Sequence, residues 1–245
     1  MDERIGARTA LVTGGSGGIG KACAAKLCEL GYDVVLSARR ADRLRAAADE
    51  IGARYIAADA SDPSGFAQAI GPMETVDLVV HAAGTLGGTY ARKQTFEQWQ
   101  TIMSANLDSC FVVTAAALPK MRPGSRLVFI SSSAAHEPMM ARTAYSASKA
   151  GMNAFARALA LEVDRDGIAV HIVTPGPVET EMLQDVPFEM NAIAASDVAD
   201  AVAWLDTVDP SVDLPEIRLH AVRRGPFARE PVVPDEARRR AAQRH

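Results

Sequence analysis

The strongest constraint on this chain lies near its start. TALVT (Thr9 to Thr13) runs into GGSGGIG (Gly14 to Gly20) and then KACAAKLCEL. TALVT is short, apolar and rich in β-branched residues, the pattern of a strand buried on both faces of a parallel sheet. KACAAKLCEL has helical spacing. Strand, glycine turn and helix in that order turn a weak glycine motif into a specific one. Glycines let the backbone turn tightly and approach a pyrophosphate, and the helix N-terminus offers unpaired N–H groups and positive dipole. Two registers fit: Gly15, Gly17 and Gly20 as G-x-G-x-x-G, or Gly14, Gly18 and Gly20 after Thr13 as T-G-x-x-x-G-x-G. Five glycines in seven residues exceed what a plain turn needs, so the stretch reads as a dinucleotide-binding turn.

The chain continues as alternating strands and helices. YDVVLSARR (Tyr32 to Arg40) reads as a second strand and its end. In NAD binders an acidic residue here takes the ribose 2′-hydroxyl. This chain has Ser37, Ala38, Arg39 and Arg40 instead. A carboxylate would repel a 2′-phosphate and a guanidinium fork would hold it, so NADP(H) is expected in preference to NAD(H). Arg39 is the main candidate contact and Arg40 the second; the alternative is that both merely open the next helix, ADRLRAAADEI. RYIAADAS (Arg54 to Ser61) reads as a third strand ending in Asp59, whose carboxylate can accept from an adenine amino group. A helix follows from Pro63 to Ile70. VDLVVHAAG (Val76 to Gly84) is a fourth strand, and Ala82, Ala83 and Gly84 are small enough to lie along a cofactor. His81 reads as a core histidine.

Thr95 to Met121 reads as one long amphipathic helix with a capping-box-like start at Thr95, Glu97 and Gln98. Asn106 interrupts its apolar centre. A buried amide must find partners, either near an active site or against a neighbouring helix. Arg126 to Ser132 is a fifth strand, and the next helix runs to about Arg165, its stripe Met152, Phe155 and Leu159 reading as packing or a subunit contact. Ile168 to Thr174 is a sixth strand. Pro175-Gly176-Pro177 then forces a loop at the sheet edge where ligands bind in open α/β folds. Glu181 to Asn191 reads as a mobile loop over that edge. SDVADAVAWLDTV is a helix with Ser196 as its N-cap, and PEIRLHAV is a seventh strand. The tail from Pro226 to His245 has four Arg in its last eight residues and little apolar content, so it is expected to be poorly ordered.

The stretch FISSSAAHEPMMARTAYSASKAG (Phe129 to Gly151) carries the chemistry. Tyr145 and Lys149 are four apart and share one helix face. An ammonium beside a phenol favours the phenolate and makes Tyr145 a candidate general acid/base. Ser132 ends the apolar run LVFISSS, where its hydroxyl can hydrogen-bond an oxygen on which charge changes.

At 245 residues, with 48% hydrophobic and 23% charged residues, the chain fits one α/β domain. A net charge of -4 and only 5% aromatics give no ground for a nucleic-acid or anionic-membrane partner. Cys23, Cys28 and Cys110 have no metal-ligand spacing. No secretory segment precedes the first strand and no apolar run reaches membrane-spanning length, so the cytoplasm is the expected location.

TGGSGGIG at Thr13 to Gly20, Asp59, the AAG of HAAG, Asn106, Ser132, YSASK at 145 to 149 and PGPVET at 175 to 180 occur in one order and spacing. In these the chain resembles the classical short-chain dehydrogenases/reductases from about residue 7 to 223. The resemblance implies a Rossmann-type α/β fold, a doubly wound seven-stranded parallel sheet with helices on both faces, as a single domain over residues 1–225. It implies a tetrad of Asn106, Ser132, Tyr145 and Lys149. Tyr145 exchanges the substrate-oxygen proton, Lys149 lowers its pKa and holds the nicotinamide ribose, Ser132 orients the substrate and Asn106 supports a water. The family spacing of 13 residues before the Tyr selects Ser132, with Ser131 and Ser133 as alternatives. Cofactor contacts are implied at Gly14, Ser16, Gly18, Ile19 and Gly20; at Ser37, Arg39 and Arg40; at Asp59 and Ala60; and at Ala82, Ala83 and Gly84. Others are implied at Tyr145, Lys149, Pro175, Gly176, Val178 and Thr180, and no metal is. His81-Ala82 stands where the family has two Asn, and the family's glycine-rich C-terminal ending is absent. The expected function is NADP(H)-dependent hydride transfer between nicotinamide and a carbonyl or secondary alcohol; the alternative is a non-catalytic NADP(H)-binding sensor or scaffold. Met139, Met140, Val186, Phe188 and Met190 suggest an apolar or bulky small-molecule substrate. A homodimer or homotetramer through the helices at 95–121 and 143–165 is expected.

Overall fold

The computed structural model describes residues 7–186, 188–209, 211–222 and 228–242. Seven short strands are laid down in chain order: β1 (Thr9–Thr13), β2 (Asp33–Ala38), β3 (Arg54–Ala57), β4 (Leu78–His81), β5 (Arg126–Ile130), β6 (Ala169–Pro175) and β7 (Glu216–Leu219). They form one parallel sheet in the order β3-β2-β1-β4-β5-β6-β7. Alternate residues of each strand face opposite layers. Ala10 and Val12 of β1 join a core with Cys23 and Leu27 of α1 (Gly18–Glu29), Leu44 of α2 (Ala41–Ile51) and Val198 of α7 (Ala195–Leu205). Leu11, between them, faces the other core. There it joins Phe66 of α3 (Pro63–Ile70), Val113 of α5 (Ser109–Ala117) and Met152 of α6 (Thr143–Val163). Burying both strand faces is what demands the continuous apolar runs seen in the sequence.

The chain reverses direction across the sheet between β1 and β4. Such a switch point opens a crevice at the carboxyl ends of the strands. There the structure ends strands earlier than the apolar runs suggest: β3 at Ala57 rather than Asp59, β4 at His81 rather than Gly84, and β5 at Ile130 rather than Ser132. Of the residues left over, 58–61 and 82–88 become crevice loops, and 131–136 lead from β5 toward α6.

The expected single helix from Thr95 is built in pieces: α4 (Phe96–Met103), a wide π-type turn (Ser104–Asp108) and α5, closed by a tight turn at Leu118–Lys120. Its start is a capping box, with Gln98 N–H donating to Thr95 Oγ1 (3.2 Å) and Thr95 N–H to Gln98 Oε1 (3.1 Å). Contrary to the sequence expectation, Phe96–Lys120 is long and apolar enough, by length and composition, to cross a membrane. Here Ile102, Asn106, Cys110, Val113 and Ala117 are buried inside the domain. α7 starts at Ala195, so Ser196 is not its cap. The Asp197 carboxylate accepts from Ala194 N–H (2.8 Å) and does the capping from inside the helix.

The segment after Thr180 is a tight turn (Glu181–Asp185) whose Leu183 packs with Val186 and Ala192. The tail differs from its expected disorder over its described residues. Met190 and Val232 exchange backbone hydrogen bonds of 3.1 and 2.8 Å, Gln184 accepts from Asp235 N–H, and α8 (Asp235–Ala242) follows. Composition alone missed this because one valine seated on that small apolar cluster supplies the anchor. Residues 226, 227 and 243–245 of the tail lie outside the described residues.

Glu216 of β7 ties the sheet edge to the loop after β5. Its carboxylate accepts from His136 (2.7 Å), Thr174 (2.8 Å), Arg157 (3.0 Å) and Arg218 (3.1 Å). Burial opposes its charge, but hydrogen bonds from Arg218, Thr174 and His136 outweigh that and hold the carboxyl at about 2. A carboxyl depressed from about 4.5 stabilises the fold above that pH and loses the contribution as pH falls toward 2. Glu216→Gln is therefore expected to lower Tm by a few degrees at pH 7. The gap to wild type should shrink in melts taken from pH 5 down to pH 3; a gap that stays constant would show the carboxylate's charge to be immaterial.

Candidate active site

The crevice at the β1/β4 switch has a volume of about 1120 Å³. Its floor is the glycine turn, and the structure selects one of the two registers. Gly14 has φ 69°, and a Cβ there would sit 2.6 Å from the Ala82 carbonyl oxygen. Gly18 has φ 55° beside Thr180, and a Cβ on Gly20 would strike the Gly14 backbone. Gly17, in contrast, is extended at φ 173° with nothing near its missing Cβ. The T-G-x-x-x-G-x-G reading with Gly14, Gly18 and Gly20 is the one that geometry requires. The Thr13 hydroxyl accepts from Ala83 N–H (3.2 Å), joining the turn to the end of β4.

Of the expected cofactor residues, Ser16 and Ile19 line the crevice with the glycines. Ser37, Arg39 and Arg40 do so from β2, Asp59 and Ala60 from β3, and Ala82 to Gly84 from β4; Thr180 closes the other side. Pro175, Gly176 and Val178 do not reach it. Gly176 packs on His220, and Val178 is buried in a bridge to Ile193. Burial pushes the Asp59 carboxyl up, but hydrogen bonds from Ser61 and the charge of Arg39 leave it below its ordinary value. Ser37 is 1% exposed, and its hydroxyl has no partner among the described residues. A buried, unsatisfied hydroxyl facing a crevice beside two exposed guanidinium groups fits the ribose-phosphate end of a dinucleotide. Arg39, Arg40 and Ser37 would hold that end, and the N-terminus of α1 the pyrophosphate.

Asn106, Ser132, Tyr145 and Lys149 do not line the crevice themselves. Tyr145 and Lys149 occupy successive turns of α6, both buried, with Lys149 close behind the Gly84 wall. Lys149 donates to the Ile130 carbonyl (2.8 Å). Its surroundings are dry, and burial pulls its ammonium down to about 8. The structure corrects the electrostatic expectation for Tyr145. Burial raises the phenol above its ordinary value, and the Ser132 hydroxyl beside it pulls the other way. The reason is that the phenol is packed among Ile102, Ala134 and Ala144, out of water.

Among the three serines, Ser132 is the one beside Tyr145; its hydroxyl also accepts from Ala134 N–H (3.2 Å). Ser131 is buried, and Ser133 begins the next tight turn. Asn106, fully buried in the π-type turn, accepts from Thr85 N–H (2.7 Å) and donates to Thr85 O (3.0 Å) and to Ser148 Oγ (2.9 Å). It thus pins the crevice wall to α6. His81 is a core residue as expected, stacked on Phe129 at 4.3 Å, with burial followed by the Lys149 charge pulling it down to about 3.

None of Met139, Met140, Val186, Phe188 and Met190 lines the crevice. Met139 packs near Tyr145, Met140 is 80% exposed, and Val186 and Met190 belong to the cluster under the tail. The sequence reading missed Arg43, Thr85 to Gly88, Arg142 and Glu181, which do line it. Arg43 and Glu181 meet across its mouth at 3.0 Å. Only the two glycines at 87 and 88 offered a signal.

The family profile for short chain dehydrogenases matches residues 8–191. The chain is 28% identical over 233 residues to serine 3-dehydrogenase of Agrobacterium fabrum, covering 87% of this chain and 94% of that one. It is 32% identical over 222 residues to acetoacetyl-CoA reductase of an Acinetobacter species, with 81% and 90% covered. A short chain dehydrogenase from Burkholderia cenocepacia in complex with NADP superposes with TM-score 0.79 at 28% identity, covering 89% of this chain and 98% of that one. This chain belongs to the short-chain dehydrogenase/reductase family, and it is an oxidoreductase of that family.

Gly17→Ala is expected to leave both Tm and nicotinamide-cofactor affinity close to wild type. Gly14→Ala should lower Tm by several degrees, because both φ and the Ala82 carbonyl oppose it. Thermal melts and cofactor titrations check the pair; equal losses at both positions would contradict the selected register.

Proposed function

We propose that the protein is an NADP(H)-dependent oxidoreductase acting on a carbonyl or secondary alcohol carbon, with Tyr145 as general acid/base. The observation that carries this is the buried Tyr145 phenol with Ser132 beside it, one helical turn from an ammonium set against the Gly84 wall of the dinucleotide crevice. When bound, the nicotinamide supplies or accepts the hydride. Burial keeps the phenol protonated at neutral pH, ready to donate from Oη to a carbonyl oxygen; in the opposite direction the same oxygen accepts. Ser132 hydrogen-bonds that substrate oxygen. Lys149, easily deprotonated for a lysine, holds the ribose and passes protons onward, with Asn106 fixing the wall beside it.

The names serine 3-dehydrogenase and acetoacetyl-CoA reductase support chemistry at a CH–OH/C=O carbon. The absence of a carboxylate among Ser37 to Arg40 and the NADP in the Burkholderia relative support NADP(H) over NAD(H). Phe111 and Leu161, 61% and 84% exposed on α5 and α6, support a homodimer or homotetramer through those helices. Three free thiols support a reducing compartment, the cytoplasm.

Titrating NADPH and NADH against protein fluorescence should give roughly tenfold tighter binding of NADPH or more. Equal affinities would overturn the role of Arg39. Tyr145→Phe should retain NADPH affinity and lose turnover by roughly 10²–10⁴-fold, the range for a positioned acid. Full NADPH binding with no turnover of ketones or secondary alcohols by the wild type would favour the sensor reading.

A further inference from the structure

We propose that Arg142 is a carboxylate-binding residue and that the substrate is a carbonyl compound, or its alcohol, carrying a carboxylate. The proposal rests on the oxidoreductase reading of the same crevice. Six charged side chains line that crevice: Arg39, Arg40, Arg43, Asp59, Arg142 and Glu181. Arg39, Arg40, Arg43 and Asp59 lie beyond the ends of β2 and β3, and Glu181 is paired with Arg43. Arg142 stands apart from them, on the far side of β1, three residues before Tyr145.

Its setting is built. Arg142 is half-buried at the N-cap position of α6. The preceding Ala141 has φ 60°, the one left-handed non-glycine among the described residues, and such backbone clusters at functional sites. Gly88, with φ 122°, packs opposite, where a Cβ would lie 3.3 Å from the Ala141 carbonyl oxygen. Arg142 Nη1 donates to Gly88 O (2.9 Å) and Ala141 O (3.3 Å), which fixes the plane of the guanidinium. Its Nε and Nη2 have no partner, and no carboxylate pairs with it, among the described residues.

A half-buried cation with no counter-charge is costly unless something else supplies one. The two remaining donors form the planar edge that matches a carboxylate. With Arg142 at the N-cap of α6, three residues before Tyr145, that edge would hold the acid group of a substrate whose carbonyl oxygen meets Oη. This replaces the apolar expectation, whose five residues lie elsewhere.

The test uses the wild-type protein with NADPH and three keto acids, 3-oxobutanoate, 4-oxopentanoate and 5-oxohexanoate, each against its methyl ester. NADPH consumption is read at the nicotinamide absorbance. For at least one pair, kcat/KM for the acid should exceed that for the ester by roughly tenfold or more, as expected for a charge-assisted pair. Arg142→Gln should erase that preference through KM while keeping NADPH affinity, and Arg142→Lys should restore part of it. Acids and esters reduced equally, or an unchanged ratio in Arg142→Gln, would overturn the proposal. If NADPH binds but no compound is reduced, calorimetric binding of each pair to the NADP⁺ complex decides the anion site by itself, separately from the Tyr145 chemistry. Tighter acid binding that Arg142→Gln abolishes supports the site; equal binding overturns it.

Discussion

One buried ammonium organises the reactive end of this domain. Lys149 is held where β5 ends, donating to the Ile130 carbonyl, with the Gly84 backbone close enough that a Cβ there would lie 3.8 Å from Nζ. Burying a cation is unfavourable, and a lysine responds by becoming easier to deprotonate. The fold tolerates it because a strand-end carbonyl, freed where β5 leaves the ladder, takes its hydrogen bond. Tyr145 and Ser132 lie next to that arrangement, one through the helix and one through the chain.

The rest of the molecule brings distant pieces of sequence to that point. A parallel sheet places all its strand ends on one edge, and the reversal between β1 and β4 opens that edge. Close packing of Gly14 on Ala82 lets the glycine turn lie against the wall of the crevice. Asn106 then links the wall at Thr85 to Ser148 on α6. The helix carrying the phenol and the loop after β4 are therefore tied together through one buried amide. Asn106 sits in the wide turn Ser104–Asp108, and π-type turns inside helices are frequent at functional sites.

Much of this was legible in the sequence, for local reasons. TALVT and the helices at 41–51 and 63–70 have the bounds read from their apolar spacing and flanking Gly or Pro. The Thr95 box is a contact between residues three apart, so it too is written locally. Strand ends at the crevice were overextended, because the small residues after His81 continue an apolar pattern while the backbone has already left the sheet. The cap of α7 was misplaced because a carboxylate inside the helix does the work of a hydroxyl before it. The state of Tyr145 depends on how deeply α6 packs it against Ile102 and Ala134, and the local sequence does not record that. Arg43 and Arg142 looked like ordinary charges until tertiary structure set one against Glu181 and the other against Gly88.

The most direct measurement is the titration of Lys149 itself. In protein carrying ¹³C-labelled lysine, its side-chain resonance can be assigned among the five lysines by comparison with Lys149→Arg. The buried site predicts a midpoint near 8. A midpoint at the ordinary lysine value of about 10.4 would mean that the ammonium is solvated, and that the dry, carbonyl-bound cation beside Tyr145 does not exist in solution.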